Sequence, residues 1–229
     1  MTLWLVDLLP LALLGAVLGL DVVCFPQAMV SRPLVAATAA GGFVGQPVQG
    51  LLIGVVLELI ALETLPFGAS RYPEWGSAAV VGGALFSDAA PSQAGGLTIA
   101  VLSALATAWV GGISMVKLRE QNARWARARQ PLLERGSGRT VIGLQVAGLT
   151  ADLVRGGLLT FVALAILRPL AHFALTHWGA RPPISRAFVI AVAATVASAA
   201  VWKIFHATPG ARWLFAGGVA AGLLLLAIR

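Results

Sequence analysis

Gly95-Gly-Leu-Thr-Ile-Ala-Val-Leu-Ser-Ala-Leu-Ala-Thr-Ala-Trp-Val-Gly-Gly-Ile-Ser-Met-Val116 runs for 22 residues without a charged side chain. As an α-helix it is about 33 Å long, which matches the roughly 30 Å hydrocarbon core of a bilayer. The rest of the chain agrees with this reading. Of its 229 residues 59% are apolar and 11% charged, against roughly 25% charged in an ordinary soluble domain. Such a chain cannot clothe a soluble fold in hydrated charge. Disorder, a secreted disulfide scaffold and a typical cytosolic enzyme are excluded. What remains is an all-α polytopic membrane protein, because a helix satisfies its own backbone in lipid. The length suits a single membrane domain over 1–229.

Further spans are expected at about Trp4–Val23, Val48–Pro66, Val141–Leu167, Ala187–Phe205 and Arg212–Ile228. Leu34–Val44 and Ser77–Phe86 are too short to cross comfortably. They suggest re-entrant or broken helices, and about six to eight membrane segments in all. Charge is divided along the chain. Up to Val116 there are two bases and six acids, and from Lys117 onward fourteen bases and three acids. Lys117–Arg139 alone carries seven bases and two acids. By the positive-inside rule it is cytoplasmic, with its first part expected as a surface helix. It either docks a cytosolic partner or anchors topology against lipid. Arg168–Arg186 reads as a loop with three arginines; if each span crosses once, it lies opposite the basic segment, against the charge rule.

The chemistry-bearing motifs are few. Cys24 is alone, and His172, His177 and His206 lack metal-ligand spacing, so neither a disulfide nor a metal site is expected. No P-loop, HExxH or Gly-x-Ser-x-Gly occurs, and no cofactor is implied. A basic face with groove-reading elements is also missing from the pattern, so nucleic acid is not expected as a partner. The N-terminus has Asp7 within its first apolar run and no basic n-region, and does not read as a cleaved signal.

Attention falls on acids within apolar sequence. Gly50, Gly54 and Glu58 are four apart and share one helix face. Glu58 is near the middle of the expected Val48–Pro66 span, where a carboxylate costs about 2.5–3.5 kcal/mol and needs a partner or a watery cavity. It is read as a ligand for a polar solute, or alternatively as half of a Glu–Arg packing pair. Glu63 lies about 140° around the helix and reads as interfacial. Asp21 ends the first span, and Gln27 and Arg32 follow in a stretch broken by Pro26 and Pro33. Their amide and guanidinium suit sugar hydroxyls or a carboxylate; alternatively Asp21 and Arg32 neutralise each other. Pro66–Trp75, which includes Glu74, is polar and aromatic, fitting a sugar or a membrane interface. Asp152 and Arg155, three apart, allow an intrahelical pair that makes insertion tolerable. Glycines four apart, including Gly41/Gly45, Gly15/Gly19 and Gly218/Gly222, read as close helix packing.

Leu20-Asp21, Gln27–Ala36, Gly45, Gly50–Gly54, Glu58–Leu62, Pro66–Ala69 and Pro73-Glu74 closely resemble, in order and spacing, the IIC membrane subunit of the mannose/fructose/sorbose-type sugar phosphotransferase system. The resemblance is most specific over about 15–90. It implies an all-helical sugar-translocating component with re-entrant hairpins in the bacterial cytoplasmic membrane. It further implies a sugar of the hexose or amino-sugar class, a IID membrane partner, soluble IIA and IIB phosphocarriers, and an oligomeric assembly. Glu58, Gln27, Arg32, Asp21 and Glu74 would line or support the sugar site, with Gly45, Gly50 and Gly54 packing it. No residue here would carry phosphate, Cys24 being an inert thiol in an apolar setting, and phosphoryl transfer would fall to the partners. The rival readings are an ion- or proton-coupled solute transporter using Glu58 and Asp21 as protonatable groups, and a divergent, non-transporting membrane subunit.

Overall fold

A computed structural model of the chain describes residues 6–21, 24–62, 71–89, 95–205 and 209–227. Among the described residues there are nine helices: α1 (Leu9–Asp21), α2 (Pro33–Phe43), α3 (Pro47–Ala61), α4 (Trp75–Asp88), α5 (Gly96–Ala128), α6 (Gln130–Glu134), α7 (Gly138–Thr176), α8 (Pro182–Phe205) and α9 (Ala211–Ala227). The protein is an all-α polytopic membrane protein. α5, α7 and the 182–203 part of α8 are long and apolar enough to cross a bilayer.

The first half is built from short helices. α2 and α3 form an antiparallel hairpin, each opening on a proline in its first turn, where the missing N–H is no loss. Gly45 makes the reversal at φ +80°, and the Gln46 N–H closes it on the Gly41 carbonyl at 2.7 Å. Gly45 is thus a turn residue and not the packing residue expected, since a side chain there would meet open space. Gly50 and Gly54 do pack. A Cβ on Gly50 would stand 3.0 Å from the Cα atoms of Gly41 and Thr38, and one on Gly54 3.1 Å from the Cα of Leu34. The glycine face meets the partner helix of the hairpin. Gly50→Leu is accordingly expected to drive the hairpin apart, at about 1–3 kcal/mol or more for overpacking. A shift of the solubilised protein into the void volume on gel filtration would show it.

The Val48–Pro66 span is described only in part. Within the described residues this helix covers Pro47–Ala61, 15 residues or about 22 Å, and 63–66 lie outside them. The first described helix, α1, has 13 residues.

α4 is the centre of the molecule. Thirteen of its 14 residues are buried, which its small side chains permit. A Cβ on Gly83 would lie 2.8 Å from the Ala37 Cα of α2, and one on Gly82 3.0 Å from the Ala104 Cβ of α5. α1, α2, α3, α5 and α7 all pack on it. On α1, Gly15 and Gly19 face α7 near Thr160 and Gly156. Gly218 and Gly222 of α9 meet no described atom within 4 Å, so that pair is not packed within the described chain.

Two charged levels bound this core. The end of α4 is tied to α7 by Arg168 Nε and Nη2 donating to the Asp88 oxygens at 2.8 and 3.0 Å. At the start of α4, Arg155 of the same α7 lies near Ser77, whose N–H binds Glu74: a Cβ on Gly19 would stand 3.0 Å from Ser77 Oγ and 3.6 Å from Arg155 Nη2. Arg155 and Arg168 are about 20 Å apart along α7, and Glu74 and Asp88 about 21 Å apart along α4. Two independent helices therefore give the same spacing between levels.

The basic segment extends beyond the Glu74 level, and not as a surface helix. α5 continues unbroken to Ala128, because Lys117–Ala128 has neither Gly nor Pro and is rich in helix formers. The short α6 follows, and Ser137 caps α7 by accepting the Thr140 N–H. The loop expected over 168–186 shortens as well: α7 runs through Pro169 to Thr176 and α8 starts at Pro182. One lost hydrogen bond at proline costs less than an open helix end in lipid. Since α7 is continuous, Arg168 lies at the end opposite the basic segment. Its pairing with Asp88 removes one of the three charges that contradict the charge rule there.

Candidate functional site

The open end of the α2–α3 hairpin carries the first cluster. Arg32, the N-cap residue of α2, donates from Nε to Glu58 Oε1 at 2.6 Å, and its Nη2 reaches the same oxygen. The other oxygen, Oε2, accepts the Leu34 N–H at 3.2 Å. Glu58 therefore closes the hairpin and sits at the positive end of the α2 dipole. The two side chains are 32% and 23% exposed, so the pair still faces outward. Within the described residues α3 covers Pro47–Ala61, with Glu58 three residues before its last.

Asp21 is 1% exposed. Its oxygens accept the N–H groups of Ala28 at 2.7 Å and Ser31 at 2.9 Å. Mutual neutralisation of Asp21 and Arg32 is thus not what the structure holds: Arg32 takes Glu58, and Asp21 fastens the loop that leads to Arg32. Gln27 is exposed on that loop with φ 59°, and Met29 follows at φ 62°. Left-handed non-glycine residues cost energy and are held only where the surroundings dictate them; here the Asp21 clamps lie beside and beyond Gln27.

Glu74 builds the second cluster. It is fully buried, and its Oε1 caps α4 by accepting the Ser77 N–H at 3.1 Å. Among the described residues its Oε2 has no hydrogen-bond partner, and neither has the buried Nη2 of Arg155. Arg155 binds Asp152 at 2.7 Å through Nε and Ser114 Oγ at 3.2 Å through Nη1. Cys24 Sγ donates to the other Asp152 oxygen at 3.0 Å. Next to this, Arg119 donates to the Tyr72 hydroxyl at 2.5 Å and lies 5.0 Å from its ring centroid. Glycines make the room: a Cβ on Gly111 would lie 2.7 Å from the Glu74 Cβ, and one on Gly19 3.6 Å from Arg155 Nη2.

Sequence reading had only part of this cluster. Glu74 is among the named candidates, and the Asp152–Arg155 pair is expected, with easier insertion as the favoured of its two readings. Cys24 is on an exposed loop and bonded to a carboxylate, not in an apolar setting. Tyr72 belongs to the Pro66–Trp75 stretch read as fitting a sugar or an interface, whereas Ser114 and Arg119 carry no site reading in the sequence. The available signal was the position of charges inside apolar sequence, which favours a functional role. Glu63 and the Pro66–Ala69 motif lie outside the described residues.

An orphaned acceptor and an orphaned donor inside one buried polar cluster, beside a half-open Arg–Glu pair, suit a transporter of a polar solute. The family model of the sorbose-specific IIC component of the phosphotransferase system matches residues 5–183. The chain belongs to that family. The IIC chain is therefore a membrane component that translocates sugar in the phosphotransferase system, working with other components of that system. A solved structure titled "Structure of membrane protein" is similar over 100% of this chain and 92% of its own, with a TM-score of 0.74 at 20% identity. That likeness establishes a shared fold. A comparison with curated proteins finds no match.

Proposed function

We propose that the sugar is bound by the IIC chain at the Arg32–Glu58 pair and passes along the Glu74–Arg155 cluster toward the face that carries the basic segment. The carrying observation is the partly exposed pair at the open end of the α2–α3 hairpin. Glu58 accepts hydrogen bonds from sugar hydroxyls. Arg32 holds the carboxylate, and Gln27 donates from the loop that Asp21 fastens. Glu74 and Arg155, each with an unused polar atom, serve the next step of the path. The chain acts as one membrane domain over 1–229 with a IID partner. IIA and IIB components pass phosphate from histidine to the sugar and so trap it. The chain itself transfers no phosphoryl group.

On this reading the membrane is the bacterial cytoplasmic membrane and residues 117–139 are cytoplasmic. In a Cys24→Ser background, Glu134→Cys is expected to resist an impermeant maleimide in intact cells and to react in inverted vesicles. Labelling in intact cells would reverse the assigned orientation. The reading as a whole is tested by uptake of labelled L-sorbose, D-fructose and D-mannose in cells supplied with the partner components. Uptake that persists without a phosphoryl donor and collapses with the proton gradient would sink it.

A further inference from the structure

We propose that the face opposite the basic segment holds a second, outer binding site for a neutral polyhydroxylated solute of monosaccharide size, built around Asp7, Asp88 and Arg168. The inference rests on the sugar-translocating reading and adds a place where sugar is held before it reaches Glu58. Two cavities meet at this end of the core, of about 190 Å³ and about 310 Å³. The Asp88–Arg168 pair lines both and so forms their common wall. Each is large enough for several waters at about 30 Å³ apiece, and for one small sugar.

The lining has the composition a sugar site needs. Asp88 and Arg168 are 41% and 32% exposed, so the pair is open to a ligand although it is bidentate. Two of the five guanidinium N–H groups are spent on Asp88, which leaves donors for hydroxyl oxygens. Asp7 lines the first cavity and supplies a carboxylate for hydroxyl hydrogens, while Phe43 and Leu11 offer apolar surface for C–H faces. His172 lines the second cavity. Two carboxylates stand against one guanidinium, so an anion is disfavoured. The site therefore discriminates free sugar from sugar phosphate. It is separate from the Arg32–Glu58 pair, because Glu58 lies about 17 Å along α3 from the hairpin turn at this end.

Val44, at the hairpin turn, also lines the first cavity and gives a direct probe. The test uses the full chain in sealed vesicles, with Val44→Cys in a Cys24→Ser background; serine keeps a hydroxyl donor for Asp152. A membrane-impermeant methanethiosulfonate is applied from the face opposite the basic segment. At least one of L-sorbose, D-fructose and D-mannose at 100 mM is expected to slow labelling about fivefold, and D-fructose 1-phosphate is not. Protection is expected to survive Glu58→Gln and to disappear with Asp7→Asn or Arg168→Gln. Absence of protection by all three sugars would overturn the outer site, as would protection lost in Glu58→Gln. If no sugar is taken up in cells but protection persists as described, the transport reading falls and the outer site stands.

Discussion

Glu58→Gln is expected to lower sugar uptake about 10- to 100-fold in cells carrying the partner components, with the protein present in the membrane at its normal level. The magnitude follows from the chemistry. A hydrogen bond to a charged group is worth about 1.5–3 kcal/mol, and each 1.4 kcal/mol is about tenfold in a rate or binding constant. Gln keeps the shape and one acceptor but loses the charge that holds Arg32 and the hydroxyls. Folding is expected to survive, because the pair is partly exposed and such pairs contribute about 0–1 kcal/mol. Uptake equal to the parent protein would remove Glu58 from the site. Uptake lost together with the protein itself would mark the pair as a packing device.

Arg155→Met is expected to act in the opposite way, through stability. Asp152 and Arg155 are 3% and 9% exposed, and Glu74 is fully buried. Removing the guanidinium leaves the buried Asp152 without its ion-pair partner and takes a positive charge from the neighbourhood of the buried Glu74. Breaking a buried pair from one side costs about 3–5 kcal/mol. At about 2–4 °C per kcal/mol for a chain of this size, Tm falls by roughly 10 °C. Arg168→Met provides the internal comparison: its ion pair is exposed, and a loss of at most about 1 kcal/mol is expected. Thermal melts of the two variants in the same detergent check this. Equal melting temperatures would show that the Glu74–Arg155 cluster does not hold the core.

Much of this arrangement was legible from local sequence. The uncharged run ending at Val116 specified a long helix, and Pro33 marked a break ahead of the hairpin, while the turn at Gly45 was not legible because a glycine four after Gly41 reads equally as a packing residue. Arg32 and Glu58 were both named as candidates, and a Glu–Arg pair was one of the two readings of Glu58. The Glu74 cluster was harder. Cys24 meets Asp152 across 128 residues of sequence, and Arg119 meets Tyr72 across 47. Neither a lone thiol nor a lone tyrosine announces its partner. Only the packing of α1, α4, α5 and α7 brings them together, through glycines whose role is visible only once the facing helix is known. The basic segment misled for a related reason. Its charge set the topology, while its continuity with α5 depended on the lack of Gly and Pro over Lys117–Ala128.

The most direct test of the central claim is a charge exchange at the hairpin mouth. Arg32→Glu combined with Glu58→Arg restores the ion pair but moves the carboxylate to the other helix. Labelled-sugar uptake would be measured for the parent protein, each single variant and the double variant, at matched amounts in the membrane. If Glu58 binds the sugar, the double variant recovers the stability of the parent protein but not its uptake. Recovery of uptake to the level of the parent protein would show that the pair only fixes helix packing, and would contradict the account.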